Sequence, residues 1–287
     1  ELAAQTGLLA IALTDHDAID GVREIASALG TKTDSYTLPF LYDVAKPPPF
    51  FISGVEISAA PPSQMAVSGS FHILGYGFDP DDPVLDEALI RQQAARKNRN
   101  PHIVSRLNDM GIDISLDEVA RSSGAPRIGR PHIAALLVEK GYVRIIDEAF
   151  DHYIGKGKPA YVDKPRIPAE EAIALIRCAG GAAVLAHPGL LTFPANSHLD
   201  QLIAALTEMG LDGIEAYYPG HSDAQFAIYS ELARAHDLLV TGGTDFHGAV
   251  NPDIAMGSGG GDFEVPFRVF ENLIRHVTDG AFTPTRQ

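Results

Sequence analysis

Short continuous runs of apolar residues alternate along the chain with longer stretches of helical period. Six of the runs predict buried strands and four of the stretches predict helices. The strands are expected at residues 8–13, 50–57, 71–76, 182–186, 211–217 and 238–241, and the helices at 20–29, 168–179, 198–209 and 222–236. Because most runs are continuous and do not alternate between apolar and polar residues, they are typical of parallel strands covered on both faces. The alternation predicts an α/β fold, arranged either as one barrel or as two domains.

The stretch from 84 to 155 differs from the rest of the chain, because it is helical in period and contains no convincing strand. We therefore expect a small helical insertion at 84–155 within a barrel formed by residues 1–83 and 156–287. A proline cluster within 31–50 and a glycine run at 257–261 predict surface loops.

Composition limits the partners and the compartment. The chain has 287 residues, of which 37 are acidic and 22 basic, and its formal net charge of −15 argues against broad contact with nucleic acid or anionic membrane. Cys178 is the only cysteine, so no intrachain disulfide can form and a reducing cytoplasm is expected. We interpret Cys178 as a core residue of a helix. No apolar run approaches the roughly 18 residues needed to cross a bilayer.

Residues that bind metal ions recur at the ends of predicted strands. Four histidines and two carboxylates occupy such positions: His16, Glu56, His72, His187, Asp245 and His247. Because the C-terminal ends of parallel strands meet at one face of a barrel, we expect these side chains to converge. Imidazole and carboxylate are the usual ligands of Zn²⁺, Mn²⁺ and Fe²⁺, and the absence of cysteine ligands argues against a closed structural zinc site. The set predicts a catalytic metal site.

Single members of this set have simpler explanations. His72 stands inside an apolar strand, where a hydrogen-bonded core histidine would also fit, and His187 precedes a proline, which favours a strand terminator. The segment GGTDFHG is the strongest single motif for metal binding, because Asp245 and His247 are two residues apart and can point the same way from an extended segment. Asp17 is expected to orient a neighbouring ligand or to assist catalysis.

Several motifs together resemble one family, the PHP (polymerase and histidinol phosphatase) metal-dependent phosphoesterases. They cover nearly the whole chain and read LTDHDAIDG, GVEISA, FHILGYGFDP, GRPHIA, GKGKPAYV, AHPG, DGIEAYYPGHS and LLVTGGTDFHG. Within the family, the chain is most similar to a subgroup with a helical insertion. Its characterised members remove phosphate from nucleoside 3′,5′-bisphosphates or trim short RNA from the 5′ end.

The resemblance implies a distorted seven-stranded (β/α) TIM-like barrel that holds two to three divalent ions, namely Mn²⁺, Zn²⁺ or Fe²⁺. It implies that Glu56 bridges two of the ions. The remaining ligands implied by the family pattern are His72 and His187 on one ion, Asp245 on its neighbour, and His16 with His247 on the third.

The chain departs from the family pattern before His16. The family's first strand supplies a His-x-His pair and a following Asp, yet no histidine precedes His16. Since residue 1 already lies in what would be the first helix, we expect the first strand and its ligands to be missing from this sequence. Without them, a catalytically impaired barrel that serves as a binding module is the alternative outside the enzymes.

Cationic residues supply candidates for binding a phosphorylated substrate. Arg130 and His132 stand at a helix start, where free backbone N–H groups also favour an anion. Lys158 lies in a glycine-rich loop, Arg99 lies on a helical stretch, and His221 follows a predicted strand end. The simpler explanation is that the charged side chains are solvated surface residues.

The combined expectation is hydrolysis of a phosphomonoester or short phosphodiester by a hydroxide held between two metal ions. His247 or His221 would protonate the leaving alkoxide. With the helical insertion as a lid, a small nucleotide or short oligonucleotide fits better than a long duplex, and no obligate protein partner is evident. The alternative enzyme is an amidohydrolase-type C–N hydrolase, which would usually require a carboxylated lysine at a strand end.

Overall fold

A computed structural model describes residues 1–28, 41–42, 49–124, 128–163, 165–194, 198–248 and 251–278. The chain forms two compact units. The first contains Glu1–Ile90, Arg166–Phe246 and Asp253–Gln287, and the second contains Arg91–Pro165 and His247–Pro252. Most of the loop predicted at 31–50 lies outside the described residues.

The first unit is built on strands that we number in chain order. They are β1 (Ala10–Leu13), β2 (Leu41–Tyr42), β3 (Phe50–Ala60), β4 (Ser68–Gly69), β5 (His72–Tyr76), β6 (Ile167–Pro168), β7 (Ala182–Leu185), β8 (Leu191–Thr192), β9 (Gly213–Tyr217) and β10 (Leu239–Gly242). All six predicted strands are present within these bounds or close to them.

The helices of the chain are likewise numbered in order. They are α1 (Leu2–Gln5), α2 (Asp20–Ala28), α3 (Pro83–Asp109), α4 (Leu116–Ser123), α5 (Arg130–Glu139), α6 (Ile146–Ala149), α7 (Ala169–Cys178), α8 (Leu199–Glu208), α9 (Asp223–Ala235) and α10 (Phe267–Val277). The four predicted helices of the first unit correspond to α2, α7, α8 and α9. The sequence reading did not include α10, although its buried residues Phe270 and Ile274 are four positions apart, as on one face of a helix.

The main sheet has the strand order β1-β3-β5-β7-β9-β10. Pairing is parallel for β1 with β3, β7 with β9 and β9 with β10. The expectation of parallel strands is wrong for β5, which runs antiparallel to both β3 and β7. No helix lies between β3 and β5 in the described chain, and a connection without a crossover helix permits antiparallel neighbours. Among the described strands β1 does not pair with β10, so the sheet is a curled half-barrel.

Helices cover both faces of this sheet. On one face, Val55 and Ile57 of β3 pack in a buried cluster with Ile173 and Ile176 of α7. On the other face, a second cluster joins residues of β3, β5 and β7 to α10, and it consists of Ile52, Leu74, Tyr76, Ala182, Val184, Ala186, Phe270, Leu273 and Ile274. Burial on both faces explains why the strands read as continuous apolar runs.

The second unit has a hydrophobic core of its own. In its described part, Arg91–Pro165 contains helices and no strand, as the helical period of its sequence predicts. The core includes the fully buried Ile103, Leu107, Ile133 and Leu137. A π-helical turn at Phe150–Ile154 follows α6.

Two expectations from composition can be compared with the structure. The interpretation of Cys178 as a core residue is wrong, because the side chain is exposed at the end of α7, whose Leu175 and Ile176 are buried instead. None of the described helices is both long and apolar enough to span a bilayer.

Substitution of Gly54 by alanine is expected to destabilise the first unit. A Cβ atom at Gly54 would lie 2.6 Å from the carbonyl oxygen of Leu13, where β1 pairs with β3. Overpacking of this kind costs about 1 to 3 kcal/mol of the free energy of unfolding. Urea denaturation of G54A measures the loss. Gly261→Ala is the matched control, because a Cβ there meets nothing within 4 Å; equal stabilities of the two variants would contradict the prediction.

Candidate metal centre

His16 lies beside Glu56 because the pairing of β1 with β3 continues past the end of β1. The Asp17 N–H donates to the Glu56 carbonyl at 2.9 Å, and the Glu56 N–H donates to the Asp15 carbonyl at 3.2 Å. The buried Asp17 also accepts a hydrogen bond from the Ser58 N–H at 2.7 Å. These bonds fix the backbone around His16, whose Nδ1 lies 3.1 Å from Glu56 Oε2.

His72 reaches Glu56 because β5 is antiparallel. In the β3–β5 pair Leu74 is opposite Glu56 and Ser58 is opposite His72. His72 and Glu56 are therefore diagonal neighbours on one face of the sheet, and the first residue of β5 lies at the edge where its parallel neighbours end. His72 Nδ1 is 2.6 Å from Glu56 Oε1. Each of His16, Glu56 and His72 offers one ligand atom, and the three atoms lie within 4.8 Å of one another.

His187 brings a third imidazole to the same carboxylate. It follows β7 and is buried, with 4% of its surface exposed. Its Nε2 lies 3.0 Å from Glu56 Oε1 and 3.2 Å from His72 Nδ1. The main chain of His187 is in the left-handed region, with a φ of 24°.

A second buried carboxylate, Glu215, was not among the predicted site residues. It lies on β9, and its Oε2 accepts a hydrogen bond from the His187 N–H at 2.8 Å. The quoted motif DGIEAYYPGHS contains Glu215, and a carboxylate within an apolar strand was the available signal. The sequence reading missed it because Glu215 stands inside its strand instead of at the end.

Asp245 lies in the segment after β10, and Tyr218, from the segment after β9, contacts it. Its main chain is left-handed, with a φ of 51°, and the Tyr218 hydroxyl donates to its Oδ2 at 3.4 Å. Burial, followed by the charge of Asp245, raises the pKa of Tyr218. The tyrosine is therefore a neutral hydrogen-bond donor that orients Asp245.

The buried carboxylates and His187 shift one another's pKa values. Burial opposes the ionisation of Glu56, but His16 and His72 outweigh it and hold the pKa of Glu56 well below its usual range. Burial also opposes the charged form of His187, yet the hydrogen bond and charge of Glu56 raise its pKa to about 9. Burial raises the pKa of Glu215 to about 8. A proton on His187 thus supplies the positive charge that the carboxylates attract.

The same donor set fits a divalent cation. Imidazole nitrogen and carboxylate oxygen suit Zn²⁺, Mn²⁺ and Fe²⁺, and Glu56 offers two oxygens that contact different histidines. His187 Nδ1 is buried and has no hydrogen-bond partner among the described residues, and a nitrogen in that state is costly unless it is satisfied. A cation bound by these residues would replace the proton that His187 carries.

His221 has both ring nitrogens engaged within the first unit. Its Nδ1 lies 2.9 Å from the Ala216 carbonyl oxygen, and its Nε2 accepts a hydrogen bond from the Gly189 N–H at 3.2 Å. Burial lowers the pKa of His221, so the imidazole is held in its neutral form. The structure therefore connects the loop after β7 to the segment after β9 through this ring.

The predicted cationic residues lie in the second unit. The Arg130 guanidinium stands 5.6 Å from the ring centroid of Phe150 and 5.5 Å from that of Tyr161, and it donates to the Ile154 carbonyl at 3.1 Å. Arg99 is buried and donates to Asn100 Oδ1 at 3.3 Å. Arg130 and Arg99 thus both have partners within their own unit.

His132 and His247 share a local electrostatic environment in the second unit. His132 Nδ1 accepts a hydrogen bond from the Gly129 N–H at 2.9 Å. Burial, followed by the positive charges of Arg96 and His247, lowers the pKa of His132. Lys158 is exposed. Burial and these charges therefore favour the neutral form of His132.

Comparison with known proteins assigns the chain to a class of enzyme. No family model matches the chain. A 3′,5′-nucleoside bisphosphate phosphatase from Chromobacterium violaceum is 32% identical over 253 residues, covering 88% of this chain and 79% of the relative. The 5′-3′ exoribonuclease Rnm from Escherichia coli is 32% identical over 240 residues, covering 83% and 74%. The protein is a hydrolase of phosphoric ester bonds.

Solved structures agree in fold. A protein from Bifidobacterium adolescentis assigned as a metal-dependent phosphoesterase aligns with a TM-score of 0.74 and 27% identity over 95% of this chain and 87% of its own. An amidohydrolase from C. violaceum, solved with sulfate and no metal, aligns with a TM-score of 0.78 and 28% identity over 99% and 90%. The chain belongs to the PHP family of metal-dependent phosphoesterases, as the sequence motifs predict.

The stability of the metal-free protein is expected to fall as the pH rises from about 5 to 9. The pKa of His187 is raised from 6.5 to about 9, and that of Glu215 from 4.5 to about 8. At a pH between the lower and the higher pKa of each group, the folded protein binds more protons than the unfolded chain, so its stability falls as the pH rises. The lowered pKa of Glu56 has the opposite effect, because its contribution to stability is lost as the pH falls. This loss occurs only in acid, below that pH range. The expected loss is on the order of a few kcal/mol.

Urea denaturation in the presence of a chelator, at a series of pH values, measures this loss. Glu215→Gln removes one of the two groups and keeps an oxygen that can accept from the His187 N–H. The variant should therefore show a weaker pH dependence up to pH 8. A stability that stays constant over this range, or a variant whose profile matches the parent, would show that the cluster does not hold these protons.

Proposed function

We propose that the protein hydrolyses the 3′-phosphate of nucleoside 3′,5′-bisphosphates or the 5′ end of short RNA, using two to three divalent ions. The observation that carries this proposal is the convergence of His16, His72 and His187 on the single carboxylate of Glu56. Three imidazoles around one carboxylate, with no cysteine, form the donor set of a catalytic metal site rather than of a closed structural one.

The substrate class is supported by the relatives. One is a 3′,5′-nucleoside bisphosphate phosphatase and another a 5′-3′ exoribonuclease, so both names refer to nucleotide or RNA chemistry. The amidohydrolase from C. violaceum was solved with sulfate, which has the tetrahedral shape and charge of a phosphate. A small phosphorylated nucleotide or short oligonucleotide is the common chemistry, and we propose no long duplex, membrane or obligate protein partner.

In this proposal the ligands are the predicted ones. His16, Glu56, His72 and His187 hold the ions together with Asp245 and His247. When bound, the ions lower the pKa of water and offset charge on the phosphoryl oxygens. Asp17 fixes His16 through its bond to Ser58, and Tyr218 orients Asp245. The closed seven-stranded barrel of the family is part of the same proposal.

The proposal assigns the phosphate contacts of the substrate to the predicted cationic residues. The candidates are Arg130, His132, Lys158 and Arg99, and His132 is kept neutral by burial and by nearby positive charge. A neutral imidazole beside cations donates a hydrogen bond to an anion without adding charge. His247, two residues after Asp245 in the sequence, is assigned to protonate the leaving alkoxide or to bind an ion, because both nitrogens of His221 are engaged.

The cytoplasm is the proposed location. Cys178 is free and exposed, a state that persists in a reducing compartment.

Hydrolysis of a C–N bond is the second candidate, because one of the solved structures is named an amidohydrolase. A carboxylated lysine would favour this chemistry, and the described contacts around Glu56 involve histidines instead. A catalytically impaired binding module is the candidate outside the enzymes.

Assays matched to the bond that breaks separate these candidates: inorganic phosphate from a phosphomonoester, mononucleotide from an RNA phosphodiester and amine from an amide. Protein stripped of metal is reloaded with Mn²⁺, Zn²⁺ or Fe²⁺ and given adenosine 3′,5′-bisphosphate, a short 5′-phosphorylated RNA, a long duplex or an amide. We expect inorganic phosphate from the bisphosphate or mononucleotide from the short RNA, and no product from the long duplex or the amide. Turnover of the amide alone would support the C–N hydrolase, and metal binding without any turnover would support the binding module.

Substitution of Glu56 by glutamine should remove both bound metal and turnover. The neutral amide takes away the charge that three imidazoles contact, so metal affinity should fall by more than the roughly 10- to 100-fold that loss of a supporting residue costs. Metal analysis and the phosphate-release assay measure the two effects. Glu231→Gln is the control, because Glu231 is an exposed partner of Arg234 on α9. A Glu56→Gln protein with full metal content and activity would rule out the proposed centre.

A further inference from the structure

The loop that carries His187 is held in a strained conformation. His187 has a φ of 24° and a ψ of 62°, and a non-glycine residue in such a region costs on the order of 1 to 3 kcal/mol. The following residue is Pro188, which further restricts the main chain of the residue before it. A short 3₁₀ turn, Pro188–Leu190, comes next, and its Leu190 N–H donates to the His187 carbonyl at 3.0 Å. Contacts from outside the loop must stabilise this arrangement.

Two side chains from β9 and the segment after it accept hydrogen bonds from the loop. Glu215 Oε2 accepts from the His187 N–H at 2.8 Å. His221 Nε2 accepts from the Gly189 N–H at 3.2 Å. The loop is thus bound at the strained residue itself and again two residues later.

The chemistry of the contacts fixes the tautomer of His221. The Ala216 carbonyl oxygen can only accept, so Nδ1 carries the proton and donates to it at 2.9 Å. Nε2 is then left with a lone pair, which is what the Gly189 N–H requires. The rings of Tyr218 and Tyr229 pack against the imidazole, with centroids 5.0 and 4.8 Å away. His221 is therefore held in position by two bonds and two aromatic contacts.

Glycine at position 189 is what allows this approach. A Cβ atom there would lie 2.6 Å from His221 Cδ2 and 2.8 Å from its Nε2. Both distances are shorter than a non-bonded contact permits, so any larger residue would displace the ring or the loop.

We propose that His221 is a positioning residue for the metal centre. Through Gly189 it holds the loop so that His187 Nε2 stays 3.0 Å from Glu56 Oε1. The inference rests on the proposed function in one respect, that His187 is a metal ligand. It assigns His221 a role different from proton transfer, because both of its nitrogens are engaged in hydrogen bonds with the main chain.

The test compares two amide substitutions at the same position. Gln places a carbonyl oxygen near the position of Nε2, so His221→Gln retains an acceptor for the Gly189 N–H. Asn reaches only the position of Nδ1, so H221N retains the donor to Ala216 and loses that acceptor. Neither amide can transfer a proton at neutral pH. Mn²⁺ affinity is measured by calorimetry on the full chain, and thermal unfolding is recorded without metal.

We expect H221N to bind Mn²⁺ about 10- to 100-fold more weakly than the parent, the usual effect of losing a supporting residue, and H221Q to recover most of that loss. Parent-like affinity in H221N overturns the proposal. An equal loss of affinity in both variants also overturns it, because the acceptor atom would then not be responsible. Loss of turnover in both variants with parent-like Mn²⁺ affinity identifies proton transfer instead.

Should H221N fail to fold, Gly189→Ala provides the second variant, because its Cβ displaces the ring while His221 remains. A weaker Mn²⁺ affinity is expected, and an unchanged affinity overturns the proposal. Failure of the phosphoesterase proposal gives a different result. In that case phosphate release is absent in the parent, whereas the order of Mn²⁺ affinities among the variants is unaffected.

Discussion

The negative charge of Glu56, buried in the middle of a sheet, is the constraint around which the first unit is organised. An isolated carboxylate in that position would cost several kcal/mol of stability. Here three imidazoles from separate segments contact its two oxygens. Because each imidazole comes from a different strand or strand end, the charge links segments that are far apart in the sequence. Stability of the fold and assembly of the site thus depend on the same group.

Strand direction determines which side chains reach that group. His16 and His187 follow parallel strands, as expected for residues at the active end of a barrel. His72 instead begins β5, and it joins them because β5 is reversed relative to β3 and β7. Supporting contacts then come from β9 and the segment after it, where Glu215 and His221 bind the loop of His187. The reversed strand β5 and the supporting strand β9 thus complete the arrangement of side chains around Glu56.

The sequence predicts much of this arrangement, and the exceptions have physical reasons. The strands and helices of the first unit follow from apolar runs and helical period, because both are local signals. The reversal of β5 is not local, since pairing direction depends on how distant segments meet. Glu215 was missed because it stands inside β9 and the predicted ligands were all at strand ends. Cys178 was placed wrongly because helical period predicts a buried face less reliably near a helix end.

The proton on His187 has a consequence for how the protein handles its ions. A cation bound by the proposed ligands would have to displace that proton, so its binding would be an exchange reaction. Acid would then favour the protonated donors and the release of bound ions. Neutralisation in the presence of free metal would restore them, which makes the ratio of metal to hydrogen ions the quantity that governs occupancy.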